Sequence, residues 1–176
     1  MRNNTIAWVL LGVGLAAAAG LQCGCSSMGY NLGSMLPPEI QTIFVPTVVN
    51  KSMQPLLEAD TTQAIIQEIQ RDGSLEIASE QNADSKLKVV ITNYRIVPIA
   101  FETARATATE EYRIFITASF VATRANDGSV IAESAWVQGD ATTELIGDLT
   151  AAKEKGLPLA ARDLARNIVT SIVEYW

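Results

Sequence analysis

Apolar and polar positions follow three different rhythms along this chain, and each rhythm predicts an element. Residues 6–21 are an uninterrupted apolar run behind Arg2. A charged start, an apolar centre and a small-residue end have the form of a secretory signal. The run is short for a membrane span, which needs about 20 residues. Residues 28–38 hold Gly29, Gly33, Pro37 and Pro38, which break regular structure and predict a tether. Residues 40–46 are rich in β-branched and aromatic types and predict a strand, with Ile43 and Val45 on one face. Pro46 donates to no ladder and ends it. Residues 48–52 predict a loop.

The rhythm then changes to the helical one. In residues 56–71, Leu57, Thr61, Ala64, Ile65 and Ile69 fall on one stripe, with Gln63, Gln67 and Gln70 away from it. Asp72-Gly73 stops this helix. Residues 74–78 are a short extended piece and 86–98 a long strand. Leu87, Val89 and Ile91 alternate toward one face, but Tyr94 and Ile96 have the opposite parity. That switch predicts a bulge near Thr92-Asn93 or a strand buried on both sides. Residues 99–111 form a connection of low apolar content.

Residues 112–123 are the clearest strand. Ile114, Ile116, Ala118, Phe120 and Ala122 share one face, while Phe115 and Val121 lie among polar residues on the other. Asn126-Asp127-Gly128-Ser129 predicts a hairpin turn, and 130–140 pairs back with Val130, Ala132 and Trp136 on one face. Residues 148–155 predict one or two helical turns, interrupted by Gly156 and Pro158. A last helix over 159–175 carries a broad stripe through Ala161, Leu164, Ala165, Ile168, Val169 and Ile172. The economical packing is α+β: two helices on one face of a mixed four-stranded β-sheet. The other face stays partly apolar and is a candidate docking surface.

Composition narrows the function. The chain has 176 residues and a formal net charge of −6, which removal of Arg2 makes one unit more negative. An acidic balance argues against a nucleic-acid partner. Histidine is absent, which removes the commonest general base and zinc ligand. The two cysteines, Cys23 and Cys25, both lie in the processing region, so the folded part has no disulfide, thiol nucleophile or thiolate metal site. No phosphate loop, Gly-x-Ser-x-Gly or Gly-x-Gly-x-x-Gly occurs. No catalytic, metal or cofactor site is therefore expected.

The residues around Cys25 resemble a bacterial lipoprotein signal, which is cut before a cysteine that carries the lipid. Gly24 precedes Cys25 and serines follow it, whereas bulky Gln22 precedes Cys23. This divides the chain into a signal peptide over 1–24, a lipidated tether over 25–38 and a single domain over 39–176. A plain secretory signal and a single N-terminal membrane anchor are the alternatives. Arg95, Arg105, Arg113 and Arg124 surround the central hairpin. Arginine forks grip phosphate or carboxylate bidentately. The alternative is ion pairing with Glu102, Glu110 or Glu111.

Taken in order, the cues resemble the lipopolysaccharide-assembly lipoprotein family LptE. They are Cys25 with Gly29-Tyr30, then Ile43-Phe44-Val45-Pro46 with Asn50-Lys51-Ser52. They continue with Leu57 through Ile69 ending in Arg71-Asp72-Gly73, Asp84 before Leu87, and Glu111-Tyr112-Arg113. The C-terminal Ala165, Ile168-Val169 and Ile172-Val173-Glu174-Tyr175-Trp176 complete the set. The resemblance implies two helices against a four-stranded sheet and attachment through palmitate-type acylation of Cys25 to the outer membrane, facing the periplasm. It implies a non-enzymatic role, with the LptD β-barrel translocon and lipopolysaccharide as partners. There the lipoprotein plugs the barrel, aids its assembly and helps deliver the glycolipid to the outer leaflet. Arg105, Arg113 and Arg95 are the candidate ligand contacts. A different class of reading is a lipoprotein regulator or assembly factor of another envelope machine, of the peptidoglycan-synthase activator or secretion-pore type.

Overall fold

Alternating residues that bury one side of a pleat build a sheet here, and two striped helices close it. The computed structural model describes residues 36–100, 111–144 and 148–174. In chain order the elements are β1 (Thr42–Phe44), β2 (Val49–Asn50), α1 (Leu57–Asp72), β3 (Glu76–Ile77), β4 (Ser85–Ala100), β5 (Glu111–Arg124), β6 (Val130–Glu144) and α2 (Leu149–Val173). The described residues belong to one unit, Gly33–Trp176. Among them no helix is long and apolar enough to cross a membrane.

The sheet is mixed and has six strands in the order β3-β1-β4-β5-β6, with β2 also on β4. The expected four strands are therefore joined by β2 and β3, each of two residues. These are too short to show a period in sequence, and β2 falls within the expected 48–52 loop. β1 runs parallel to both β3 and β4, and β2 runs parallel to β4. β4, β5 and β6 form a long antiparallel meander.

The buried residues of α1 are Leu57, Thr61, Ala64, Ile65 and Ile69, the stripe expected from spacing. Gly73 ends the helix with φ 76°, and its N–H donates to Ile69 O at 3.1 Å. On β5, Ile114, Ile116, Ala118 and Ala122 are fully buried and Phe120 nearly so. The bulge at Thr92 is real. Ile91 pairs with Ala118 and Asn93 with Thr117, so one extra residue sits in β4. It brings Tyr94 and Ile96 opposite Ile116 and Ile114, on the core side.

Two expectations are corrected. Gly156 and Pro158 do not interrupt the last helix, because α2 is continuous from Leu149 to Val173 with Pro158 inside it. Gly156 serves packing instead: a Cβ there would lie 2.6 Å from Ile114 Cδ1. Asp148 caps the start, its Oδ1 accepting from Ala151 N at 2.8 Å. Val130, Ala132 and Trp136 do not share a face. β6 carries an extra residue between Ser134 and Val137, and another between Val130 and Ala132. Each shift reverses the parity. Ala132 is consequently buried, while Val130 is 51% and Trp136 65% exposed.

At Gly139 the helix and the sheet nearly touch backbones. A Cβ on Gly139 would lie 2.5 Å from Leu164 Cα. Only glycine lets α2 sit so low on β6. The helix also seals that strand's edge: Asp140 N–H donates to Asp163 Oδ2 at 3.1 Å, and Asn167 Nδ2 donates to Gln138 O at 2.8 Å.

Candidate functional site

The helices cover one face of the sheet, and the other faces solvent at its centre. On that open face β4 contributes Asn93, Arg95 and Val97, and β5 contributes Thr117, Phe115 and Arg113 opposite them. β6 adds Gln138, Asp140 and Thr142 beside the β5 residues. Antiparallel pairing makes Arg95 and Arg113 diagonal neighbours, roughly 7–8 Å apart. The sheet thus joins two basic residues that lie far apart in sequence.

Their surroundings differ. Arg95 stacks its guanidinium over Phe115, with Cζ 4.8 Å from the ring centroid. No ion pair to Arg95 is found among the described residues. Arg113 lies 3.7 Å from Asp140 through Nε, and the same atom donates to Thr142 Oγ1 at 3.4 Å. Both members of that ion pair are well exposed, so it contributes about 0–1 kcal/mol and leaves the guanidinium available. The Arg113 ion partner is therefore Asp140, on β6. Sequence pointed to Glu102, Glu110 and Glu111, and the first two lie outside the described residues, as does Arg105. Arg124 is carried to the opposite end of β5, facing Ser85, and takes no part in this cluster.

The rest of the face supplies apolar surface. Phe115, Val121 and Val97 are half-buried, and Trp136 stands exposed on the bulged stretch of β6. Ser134 pins that bulge: its Oγ donates to Trp136 O at 2.8 Å and accepts from Trp136 N at 3.3 Å. Sequence reasoning put Trp136 on a face with Ala132 and gave Asp140 no role, because the two bulges hide which residues of β6 share a face. Two arginines beside aromatic and aliphatic surface suit an amphiphile with an anionic head. No group of metal-ligating side chains occurs among the described residues.

A well-bonded carboxylate lies elsewhere. Asp84 Oδ2 accepts from Thr42 Oγ1 at 2.7 Å, Thr42 N at 3.0 Å and Gln41 N at 3.2 Å. These bonds, led by the Thr42 hydroxyl, hold its carboxyl below the usual range. The role is structural, because the bonds tie β1 to the start of β4. Tyr94 lies on the core side, where burial raises its phenol.

The model of a family described as LptE, lipopolysaccharide-assembly, matches residues 40–173. No curated protein matches the sequence. Similar solved structures include a minor lipoprotein from Acinetobacter baumannii, at 12% identity and TM-score 0.49, covering 76% of this chain and 92% of that one. A lipoprotein from Caulobacter crescentus has 12% identity and TM-score 0.48, covering 72% and 88%. A PelC dodecamer from Paraburkholderia phytofirmans has 13% identity and TM-score 0.46, covering 81% and 94%.

Proposed function

Because this chain belongs to the lipopolysaccharide-assembly family LptE, we propose that it is an outer-membrane lipoprotein that plugs and helps assemble an LptD-like β-barrel and contacts lipopolysaccharide in transit. The family match over residues 40–173 carries the assembly role. The finer reading draws on the cluster of Arg95, Phe115 and Arg113. Anionic groups of the glycolipid would engage the two guanidinium forks, with Arg105 as a third candidate, and acyl chains would lie along Phe115, Val121 and Trp136. Charge-assisted hydrogen bonds of this kind contribute about 1.5–3 kcal/mol each.

In this reading residues 1–24 are removed as a signal and Cys25 is acylated. Residues 25–38 tether the 39–176 domain to the membrane's periplasmic side. Each acyl methylene buried in the bilayer contributes about 0.8 kcal/mol. No catalytic step is assigned, in keeping with a family of assembly proteins.

The test is an Arg95→Ala, Arg113→Ala double variant, purified from membranes with whatever glycolipid it retains. We expect affinity for lipopolysaccharide to fall about a hundredfold or more, by the two-contact estimate above. Thermal stability should stay unchanged, since both side chains are exposed. Equal glycolipid retention would remove the arginines from the reading. Depletion of the protein should also reduce surface glycolipid. Normal surface glycolipid with defective wall growth would instead favour an activator of peptidoglycan synthesis.

A further inference from the structure

The two edges of the sheet are finished differently. On β6, level with Phe115 and Thr117, side chains of α2 occupy the outward main-chain groups of Gln138 and Asp140. On β4 the outer edge is covered only as far as Ile91. β1 pairs with Ser85 and Lys86, β2 pairs with Val90 and Ile91, and Lys51 N–H donates to Ile91 O at 2.9 Å. β4 then continues to Ala100, paired with β5 on its inner side. No strand lies beside its outer side there among the described residues. Ile91 turns its carbonyl outward, and the extra residue at Thr92 reverses the phase. Tyr94 and Ile96 therefore present N–H and C=O at the edge. Pro98, which has no N–H, falls in the same phase, as proline in an edge strand must.

Exposed apolar residues lie in β2 and the segment that follows it, and at the far end of β4. Val49, Met53 and Leu56 are 43%, 96% and 73% exposed where the chain leaves β4, and Ile99 is 43% exposed at the far end. Met53 and Leu56 have φ of 64° and 68°, the left-handed region that L residues seldom occupy. Asn50 braces them there. Its Oδ1 accepts from Ser52 N at 2.9 Å and Ser52 Oγ at 2.7 Å. Its Nδ2 donates to Gln54 O at 2.7 Å and Glu58 Oε2 at 2.8 Å. The loop is thus held firm with two large apolar side chains in water.

We propose that the outer edge of β4 over residues 92–99 receives an extended strand of a partner protein. The strand continues the line of β2 and meets Met53 and Leu56 at one end and Ile99 at the other. Outward main-chain donors and acceptors at strand spacing are matched by another main chain, whereas an acyl chain or a glycan offers no such row. The apolar ends fix register and favour apolar side chains on the incoming strand. The occupant is an extended segment of the barrel protein proposed above, outside its closed wall because wall strands are paired on both edges, so the inference rests on that reading.

The full lipoprotein is purified alone and with the barrel, and amide hydrogen exchange is followed residue by residue. In the complex, the amides of Tyr94 and Ile96 should exchange at least about tenfold more slowly than in the lipoprotein alone. The Asp140 amide, already bonded to Asp163, should be slow in both. Unchanged exchange at Tyr94 and Ile96 in a barrel complex would overturn the inference and leave the partner intact. Absence of a barrel would overturn both. Protection already present in the lone protein also overturns it, showing a second copy if lost on dilution, or the chain's own leader if lost on deleting residues 26–35. A Met53→Asn variant gives a second readout. Asparagine tolerates the left-handed backbone, so the fold should hold while barrel recovery falls severalfold. Full recovery would count against the apolar end contact.

Discussion

A single carboxylate fastens the first strand to the fourth. Asp84 gathers the Thr42 hydroxyl and two backbone amides, and its own N–H returns a bond to Thr42 Oγ1 at 2.8 Å. These donors favour the charged form and lower the carboxyl's pKa. The group therefore contributes stability above the ordinary carboxylate value. That contribution is lost as pH falls from about 4 through the lowered folded value. We expect the urea midpoint of the wild type to drop more steeply on acidification through this window than that of Asp84→Asn. Parallel pH profiles would show that the cluster does not distinguish the two charge states. Asp84 stands out in sequence as a polar residue before a strand and as a family cue, not as a bonding partner. Its partner lies 42 positions away, and no local pattern links the two.

At the scale of elements, two glycines separate what local rules reveal from what only packing decides. Gly156 beside Pro158 has the look of a helix break, yet both lie within a continuous helix. The stripe of α2 continues through Ala152 and Gly156, so the buried side was legible and the meaning of the glycine was not. Gly139 sits in a strand with no local signal that Leu164 lies over it. We expect Gly139→Ala to cost about 3 kcal/mol, at the top of the overpacking range, because the obstacle is helix backbone. Gly156→Ala meets side-chain atoms, the Ile114 Cδ1 at 2.6 Å and Thr143 Cγ2 and Cβ at 3.1 and 3.2 Å, and gains up to about 1 kcal/mol of helix propensity, so it should cost clearly less than Gly139→Ala. Urea unfolding of the pair checks this, and equal losses would refute the assigned difference. The same limit governs bulges. The one in β4 was readable because large apolar residues lie on both sides of the switch. In β6 apolar residues run together at both shifts, as Val130-Ile131-Ala132 and Ala135-Trp136-Val137, so no change of parity shows and the exposure of Trp136 could not be foreseen.

For the molecule as a whole, the α+β architecture was legible because both helices carry apolar stripes, β5 alternates cleanly, and a turn signal joins it to β6. The arginine cluster was only half legible. Arg95 and Arg113 meet once register is known, while Asp140 and Phe115 join them through pairing that sequence spacing does not specify. The core of the described residues begins at Leu36, well after Cys25. Exporting residues 26–176 behind a plain cleavable signal should therefore release the protein from membranes while preserving its thermal midpoint. Retention on membranes would point to a protein surface, and not a lipid, as the anchor.

The placement of β1 has a consequence for how the chain assembles. Among the described residues it is the first strand to be synthesised, yet its seat lies between β3 and β4, both made later. The hairpins of β4, β5 and β6 join near neighbours and can close early, whereas parallel insertion of β1 must wait for distant contacts. The amino-terminal end of the described domain would thus be the last part locked into the sheet, leaving it accessible until the remainder has emerged.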